Sequence, residues 1–112
     1  MSKSLPLKEL EVYKLADENW NFFHKDSLGK QFVRSADSIS LNICEGYGRF
    51  YYKENKLFCY YSRGSLFETA ECLIKAMERK LISQEDYTLL CIKIIQLKYR
   101  LNNYIRSIGT QK

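Results

Sequence analysis

The residues that could bind a metal or perform redox chemistry are few and far apart in this 112-residue chain. Its single histidine is His24, and its four cysteines, Cys44, Cys59, Cys72 and Cys91, are spaced too widely for a CxxC metal or redox pair. With only one histidine as a further soft ligand, the pattern argues against a zinc site. We therefore expect free, mostly buried thiols and no metal.

Acid–base catalysis has equally little support in the sequence. Glu68 and Glu71 stand at helical i,i+3 spacing, but they lack the ExxH pattern of di-iron bundles, and we expect surface acids. His24 lies beside Lys25 and Asp26 at an expected helix end, which favours interaction with the helix dipole. No phosphate-binding glycine loop or HExxH motif occurs. We expect no enzyme activity, no catalytic residue and no cofactor.

Positive charge is concentrated at the C-terminal end of the chain, whose net charge is +5. The segment 87–112 contains five bases and no acid: Lys93, Lys98, Arg100, Arg106 and Lys112. Such a field indicates a polyanionic partner, with nucleic acid first among the candidates. We expect phosphate contacts from Lys93, Arg100 and Arg106, and further ones from Lys98 and Arg34. A solvated helix surface is the open alternative.

A second group of polar residues lies in the stretch SISLNICEGYGR, which begins at Ser38. Ser38 and Asn42 are four residues apart and should touch on one helix face. Arg49 is a plausible partner for Glu45. Gly46 is expected to adopt a positive φ angle after the last helical residue and to end the helix.

The elements that would position these residues are four amphipathic helices, predicted from the 3.6-residue spacing of apolar side chains. Their approximate bounds are 7–24, 29–44, 53–80 and 84–108. Short connections between them favour an all-α, antiparallel up-down-up-down four-helix bundle, with 1–112 as one domain. Ser83 should cap the last helix and Gly109 should end it.

Each predicted helix has an apolar stripe expected to face the core. The stripe of the first helix consists of Val12, Ala16, Trp20 and Phe23, and that of the second of Phe32, Ala36, Ile39 and Ile43. The spacing in the third helix selects Leu57, Tyr61, Gly64, Phe67, Ile74 and Met77, with Leu66, Ala70 and Leu73 beside them. The stripe of the fourth helix consists of Leu90, Ile94, Leu97, Leu101, Ile105 and Ile108. A glycine inside a helix costs about 1 kcal/mol relative to alanine, so Gly64 suggests close approach by a neighbouring helix.

The fourth helix has a second apolar stripe on its opposite side, formed by Ile92, Ile95 and Tyr99. A helix in a monomeric bundle should be polar there, so this stripe predicts an interface, most simply with another copy of the chain. The chain's nine tyrosines favour the same conclusion, because tyrosine is enriched in interface cores. A monomer with scattered surface apolar residues is the alternative.

Two segments, GKQFVRSADSISLNICEGYGR and KLFCYYSRGSLFETAECL, resemble the signature of a four-helix-bundle family. That family is named for proteins encoded in intervening sequences of 23S ribosomal RNA genes. The chain departs from the family pattern at Val33, Asp37 and Ser40. The matching polar and glycine residues are Gln31, Arg34, Ser38, Asn42, Glu45, Gly46, Arg49, Gly64, Ser65 and Glu68.

This resemblance implies a homopentameric bundle with no established enzymatic activity. It also implies a distant similarity to the accessory protein of diversity-generating retroelements, a basic pentameric bundle that binds nucleic acid and a reverse transcriptase. The expected partners are therefore other copies of the chain, RNA or DNA (ribosomal or other structured RNA included), and a nucleic-acid-processing protein.

We expect a non-enzymatic oligomer that binds nucleic acid. The alternative is a protein-interaction scaffold whose basic surface meets an acidic protein. The N-terminal residues lack the apolar run of a signal peptide, and no segment of the sequence reaches the length of a membrane span. A cytoplasmic location without membrane association is expected.

Overall fold

The computed structural model describes residues 27–109, and this part of the chain consists of three α-helices with no β-strand. They are α1 (Ser27–Tyr47), α2 (Tyr52–Glu78) and α3 (Gln84–Ser107), which overlap the second, third and fourth predicted helices. The expected all-α class is confirmed for these residues. The first predicted helix, including His24, lies outside the described residues. None of the three helices is long and apolar enough to span a membrane.

Specific residues define where the helices begin and end. The side chain of Ser83 accepts a hydrogen bond from the backbone N–H of Asp86 and caps α3, as predicted. Gly109, with φ +84°, follows the C-terminal end of this helix. At the end of α2 the left-handed residue is Lys80, with φ +60°. The N–H of Leu81 donates to the carbonyl of Ala76 at 2.8 Å, which completes a Schellman-type ending.

The helix α2 is the central element of the described fold, because α1 and α3 both pack against it and not against each other. Gln31, early in α1, bonds to Glu68, late in α2, whereas Ile39 accepts a bond from the earlier Ser62. These pairings show that α1 and α2 run antiparallel.

The predicted apolar stripes of α1 and α3 are confirmed as core residues. All four stripe residues of α1 are buried, and so are all six of α3. Partly buried residues such as Val33, Met77 and Tyr104 surround this core. The apolar spacing therefore identified the inward faces of both outer helices.

For α2 the predicted stripe is largely wrong, although Met77 is partly buried and the adjacent Leu66 and Leu73 are core residues. Leu57, Tyr61, Phe67 and Ile74 are exposed. The buried residues are mostly small, namely Cys59, Ser62, Leu66, Thr69, Cys72, Leu73 and Ala76. The face between two neighbouring helices is filled by small side chains, and much of the bulky apolar surface points outward. The close approach predicted at Gly64 is also absent from the described chain, because an added Cβ would meet nothing within 4 Å.

The left-handed residue at the end of α2 gives a direct test of the fold. A residue with a Cβ is strained at the φ angle of Lys80, whereas glycine is not. We expect Lys80→Gly to raise the free energy of unfolding by about 1 kcal/mol, measured by urea denaturation. Arg79→Gly is the matched control, since Arg79 has φ −90° and gains nothing from glycine. Equal destabilisation by both substitutions would contradict the assigned ending.

Candidate functional site: a polar seam and a basic helix surface

Five of the ten motif residues lie where α1 packs against α2, in a row of hydrogen-bonded polar side chains that we call the polar seam. Its members are Gln31, Ser35, Ser38 and Asn42 of α1, and Ser62, Ser65, Glu68 and Thr69 of α2. All of them except Gln31 and Glu68 are buried or half-buried. Short side chains of this kind let two helix backbones approach closely.

The centre of the seam joins Ser38 to Ser65, whose hydroxyl oxygens are 2.8 Å apart. The amide of Asn42 donates to the Ser38 hydroxyl at 3.0 Å and to the Ser38 carbonyl at 2.9 Å. The predicted contact between Ser38 and Asn42 is therefore confirmed. The hydrogen bond from Asn42 thus helps to orient the Ser38 hydroxyl, which contacts Ser65 of α2.

The deeper part of the seam is fully buried. Thr69 donates to the carbonyl of Ser65 at 2.8 Å, and its hydroxyl lies 2.9 Å from that of Ser35. Ser62 donates to the carbonyl of Ile39 at 2.8 Å. Among the described residues, no buried side-chain nitrogen or oxygen atom lacks a hydrogen-bond partner. The seam thus satisfies its own polar groups, as a structural contact between helices must.

The two helices approach each other closely at Gly46. A Cβ atom added there would lie 2.7 Å from Asn55 Oδ1 and 2.9 Å from Phe58 Cβ. Gly46 is buried inside α1, which continues to Tyr47, and does not have a positive φ angle. Its predicted role as the residue that ends the helix is therefore wrong, because packing against α2 is what requires glycine there.

Glu45 and Arg49 form the predicted pair, with an N–O distance of 2.7 Å. The guanidinium of Arg49 also lies 4.7 Å from the centre of the Phe58 ring. Both partners are largely exposed, so the ion pair itself adds little stability. The two contacts together hold the α1–α2 loop against α2.

Arg34 and Gly64 belong neither to the seam nor to the contacts of Glu45, Gly46 and Arg49. Both residues are exposed, and Gly64 lies between Tyr60 and Phe67 on the outer side of α2. The structure therefore divides the motif into a packing group and a surface group.

The cysteines have the environments of packing residues, apart from the exposed Cys44. Burial raises the pKa of Cys59 to about 11 and also raises the pKa of Cys72, with nearby Glu68 adding to the latter shift. Both thiols therefore stay protonated near neutral pH and are poor nucleophiles. No metal-binding cluster of three or more His, Cys, Asp or Glu side chains occurs within residues 27–109.

The basic residues predicted to contact phosphates differ in accessibility. Lys98, Arg100, Arg106 and Arg34 are exposed, and Lys93 is half-buried. Lys93 and Arg100 each have an interaction partner within the chain. The guanidinium of Arg106 donates to Asn103. The exposed cations of α3 are therefore Lys98, Arg100 and Arg106, whereas Lys112 lies outside the described residues.

The second apolar stripe of α3 is on the surface, as its spacing predicted. Ile92 and Ile95 are exposed, and Tyr99 is 71% exposed. Ile95, Lys98, Tyr99 and Asn102 line one shallow groove.

This stripe adjoins an exposed apolar row on α2. Two residues of that row, Phe67 and Ile74, were predicted from the sequence to face the core. Arg63 donates to Asn102 in the groove at 2.8 Å and lies 5.2 Å from the Tyr60 ring centre. Tyr60 begins the outer row of α2 that includes Phe67 and Ile74. The two helices therefore present one apolar surface with cations at its edge, and we call it the outer surface.

Comparison with known protein families gives one match. A family model described as 23S rRNA-intervening sequence protein matches residues 3–103. No curated protein gives a significant match to the chain. The family match covers both segments of the motif and all three described helices up to the last turn of α3.

The two glycines at the end of α1 give a matched test of the seam. Gly46→Ala should destabilise the protein by about 1–3 kcal/mol, the usual cost of overpacking, because the new methyl group meets the backbone of Asn55. Gly48→Ala is the control, since its Cβ would have only ordinary contacts at 3.8 Å or more. The measurement is the free energy of unfolding in urea. Equal stability of the two variants would contradict the close contact of α1 with α2 at Gly46.

Proposed function

Because the chain belongs to the 23S rRNA-intervening sequence protein family, we propose that it is a non-enzymatic, homo-oligomeric four-helix bundle. We propose further that it binds RNA or DNA through basic residues, as an accessory to a nucleic-acid-processing partner. The family's description mentions 23S rRNA but no biochemical activity, so the support comes from the surfaces of the molecule.

The four-helix architecture is supported by the way α1 and α3 flank α2 without packing against each other. The sequence predicts a further amphipathic helix over about 7–24, and we propose that it completes an antiparallel bundle. The polar seam supports a non-enzymatic role for the motif, because its buried hydroxyls bond to one another or to backbone carbonyls.

Self-association is supported by the outer surface. Exposed large apolar residues follow one another along both helices: Leu57, Tyr60, Phe67 and Ile74 on α2, and Leu89, Ile92, Ile95 and Tyr99 on α3. Apolar surface of this extent typically marks a protein–protein interface. Gly64 lies within the α2 row with open space over it, so a side chain of a second copy can approach the backbone there. The resemblance to the family favours a pentamer.

Introducing positive charge into the apolar stripe of α3 tests this assembly. Ile92→Lys combined with Ile95→Lys should convert the oligomer to monomers, because desolvating two lysines opposes association. The fold should persist, since both residues point away from the core. Leu41→Lys is the control, as Leu41 is an exposed apolar residue on α1, away from the outer surface. Light scattering coupled to gel filtration measures the mass, and a monomeric wild type at micromolar concentrations would refute the proposal.

The observation that carries nucleic-acid binding is the accessibility of Lys98 and Arg106 on a helix that has no acidic residue after Asp86. In an assembly of identical bundles these cations are repeated about the symmetry axis, so a modest charge per chain becomes an extended positive field. Contacts of this type bind phosphates and position the nucleic acid without selecting a sequence.

Removing these cations should weaken binding equally for unrelated sequences. We expect Lys98→Gln with Arg106→Gln to reduce the slope of log affinity against log salt by about 2 per chain, because each duplex phosphate contact contributes about 0.9. Fluorescence anisotropy across a salt series measures the effect. Lys93 is less suitable, because it is half-buried.

The charge-matched control is Lys30→Gln with Lys75→Gln, which removes two cations from other surfaces. Lys75 lies 3.8 Å from Glu71 on α2. Unchanged binding by the Lys98/Arg106 variant, or no binding by the wild type at low salt, would reject the nucleic-acid proposal. The scaffold with an acidic protein partner would then remain.

A further inference from the structure

One end of the molecule exposes three consecutive aromatic residues, Phe50, Tyr51 and Tyr52, which we call the aromatic tip. Their exposed fractions are 86%, 62% and 54%. The rings of Phe50 and Tyr51 meet edge to face, with centres 5.0 Å apart. Aromatic side chains normally stabilise a protein by leaving water, so three exposed rings in a row need a different explanation.

The tip continues into a groove between the α1–α2 loop and the last turn of α3. Tyr47, Tyr52 and Tyr104 line this groove, together with polar groups of Asn55 and Ser107. The ring of Tyr52 lies close to Gly109, because a Cβ added to Gly109 would be 3.4 Å from it. The groove therefore presents both ring surfaces and hydrogen-bonding groups.

Cations border the tip on two sides. Lys53 follows Tyr52 directly and is exposed, and Arg49 lines the groove. The guanidinium of Arg49 is positioned there by Glu45 and by the Phe58 ring.

We propose that the aromatic tip binds unpaired bases of single-stranded nucleic acid, with Lys53 and Arg49 contacting the adjacent phosphates. Every base has a flat face that stacks on an aromatic ring, and a neighbouring cation neutralises the backbone. The inference rests on the proposed function and specifies its ligand as single-stranded rather than duplex.

The composition of the tip favours bases over a lipid surface. Between residues 47 and 56 the only large apolar side chains are aromatic, with no Leu, Ile, Val or Met. Segments that insert into a membrane interface combine aromatic residues with aliphatic ones such as leucine. The tip is also at the end of the helices, whereas the outer surface runs along their sides, so both surfaces can be occupied together.

The test compares binding of oligo(U) and of a duplex with the same number of phosphates, using the full chain. Phe50→Ser with Tyr51→Ser should weaken oligo(U) binding on the order of tenfold or more and leave duplex binding unchanged. The aromatic-retaining variant Phe50→Trp with Tyr51→Phe is the matched control and should bind like the wild type. Tyr52 is left intact because it packs on Gly109.

Fluorescence gives a second measurement. The new tryptophan in the Phe50→Trp variant should be quenched by oligo(U) beyond any quenching of the wild type, whose single tryptophan is Trp20. Circular dichroism and gel filtration of the serine variant should match the wild type, since the substituted side chains are exposed.

Equal oligo(U) binding by the serine variant and the wild type overturns the inference and leaves the proposed function standing. Loss of oligo(U) binding only in the serine variant, with the Lys98/Arg106 variant unaffected, supports the tip and rejects the basic surface of α3. Absence of any binding by the wild type overturns both. The inference also fails if the serine variant changes the oligomer mass, or if it loses pelleting with anionic phosphatidylserine vesicles while still binding oligo(U).

Discussion

The separation between α1 and α2 is the constraint on which the described structure depends. At Gly46 there is no space for even a methyl group, and along the seam the contacts are made by serine and threonine hydroxyls. A shift of α1 by one helical turn would separate Ser38 from Ser65 and Ser62 from the carbonyl of Ile39. Each buried polar group left without a partner costs about 1–3 kcal/mol, so the seam fixes the register as well as the distance.

The same constraint explains the surface of α2. Since its sides toward α1 and α3 are filled mostly by small residues, large apolar side chains such as Tyr60, Phe67 and Ile74 point outward. The close packing of one helix pair and the apolar outer surface are therefore two results of a single distribution of side-chain sizes along α2. Association of copies and stability of the chain are linked through this helix.

The spacing of apolar residues correctly predicted the buried faces of α1 and α3, because each helix buries one stripe of large residues such as Phe32 and Leu97. It failed for α2, where the buried side is partly polar and exposed residues are as apolar as core ones. The helix ends were predictable where capping chemistry was typical, as at Ser83. The left-handed ending at Lys80 could not be predicted, because a lysine gives no sequence signal for a left-handed conformation.

Only part of the candidate site could be predicted from the sequence. The resemblance identified most of the seam residues, and the structure then showed that Ser38 and Ser65 meet through packing. Distances between helices are not encoded in spacing along one helix, so the requirement for Gly46 was missed. The groove at the aromatic tip was not predicted either. Tyr47 and Tyr104 are far apart in sequence and line the same groove only in the folded chain.

The arrangement of α1 and α3 on either side of α2 also bears on how the chain reaches this structure. The described helices pack only with their neighbours in sequence, across the short connections 48–51 and 79–83. Closing short loops costs little chain entropy, and helical proteins dominated by local contacts fold in microseconds to milliseconds. Since both packing partners of α2 are adjacent to it along the chain, either helical hairpin can form first and provide the surface on which the remaining helix docks.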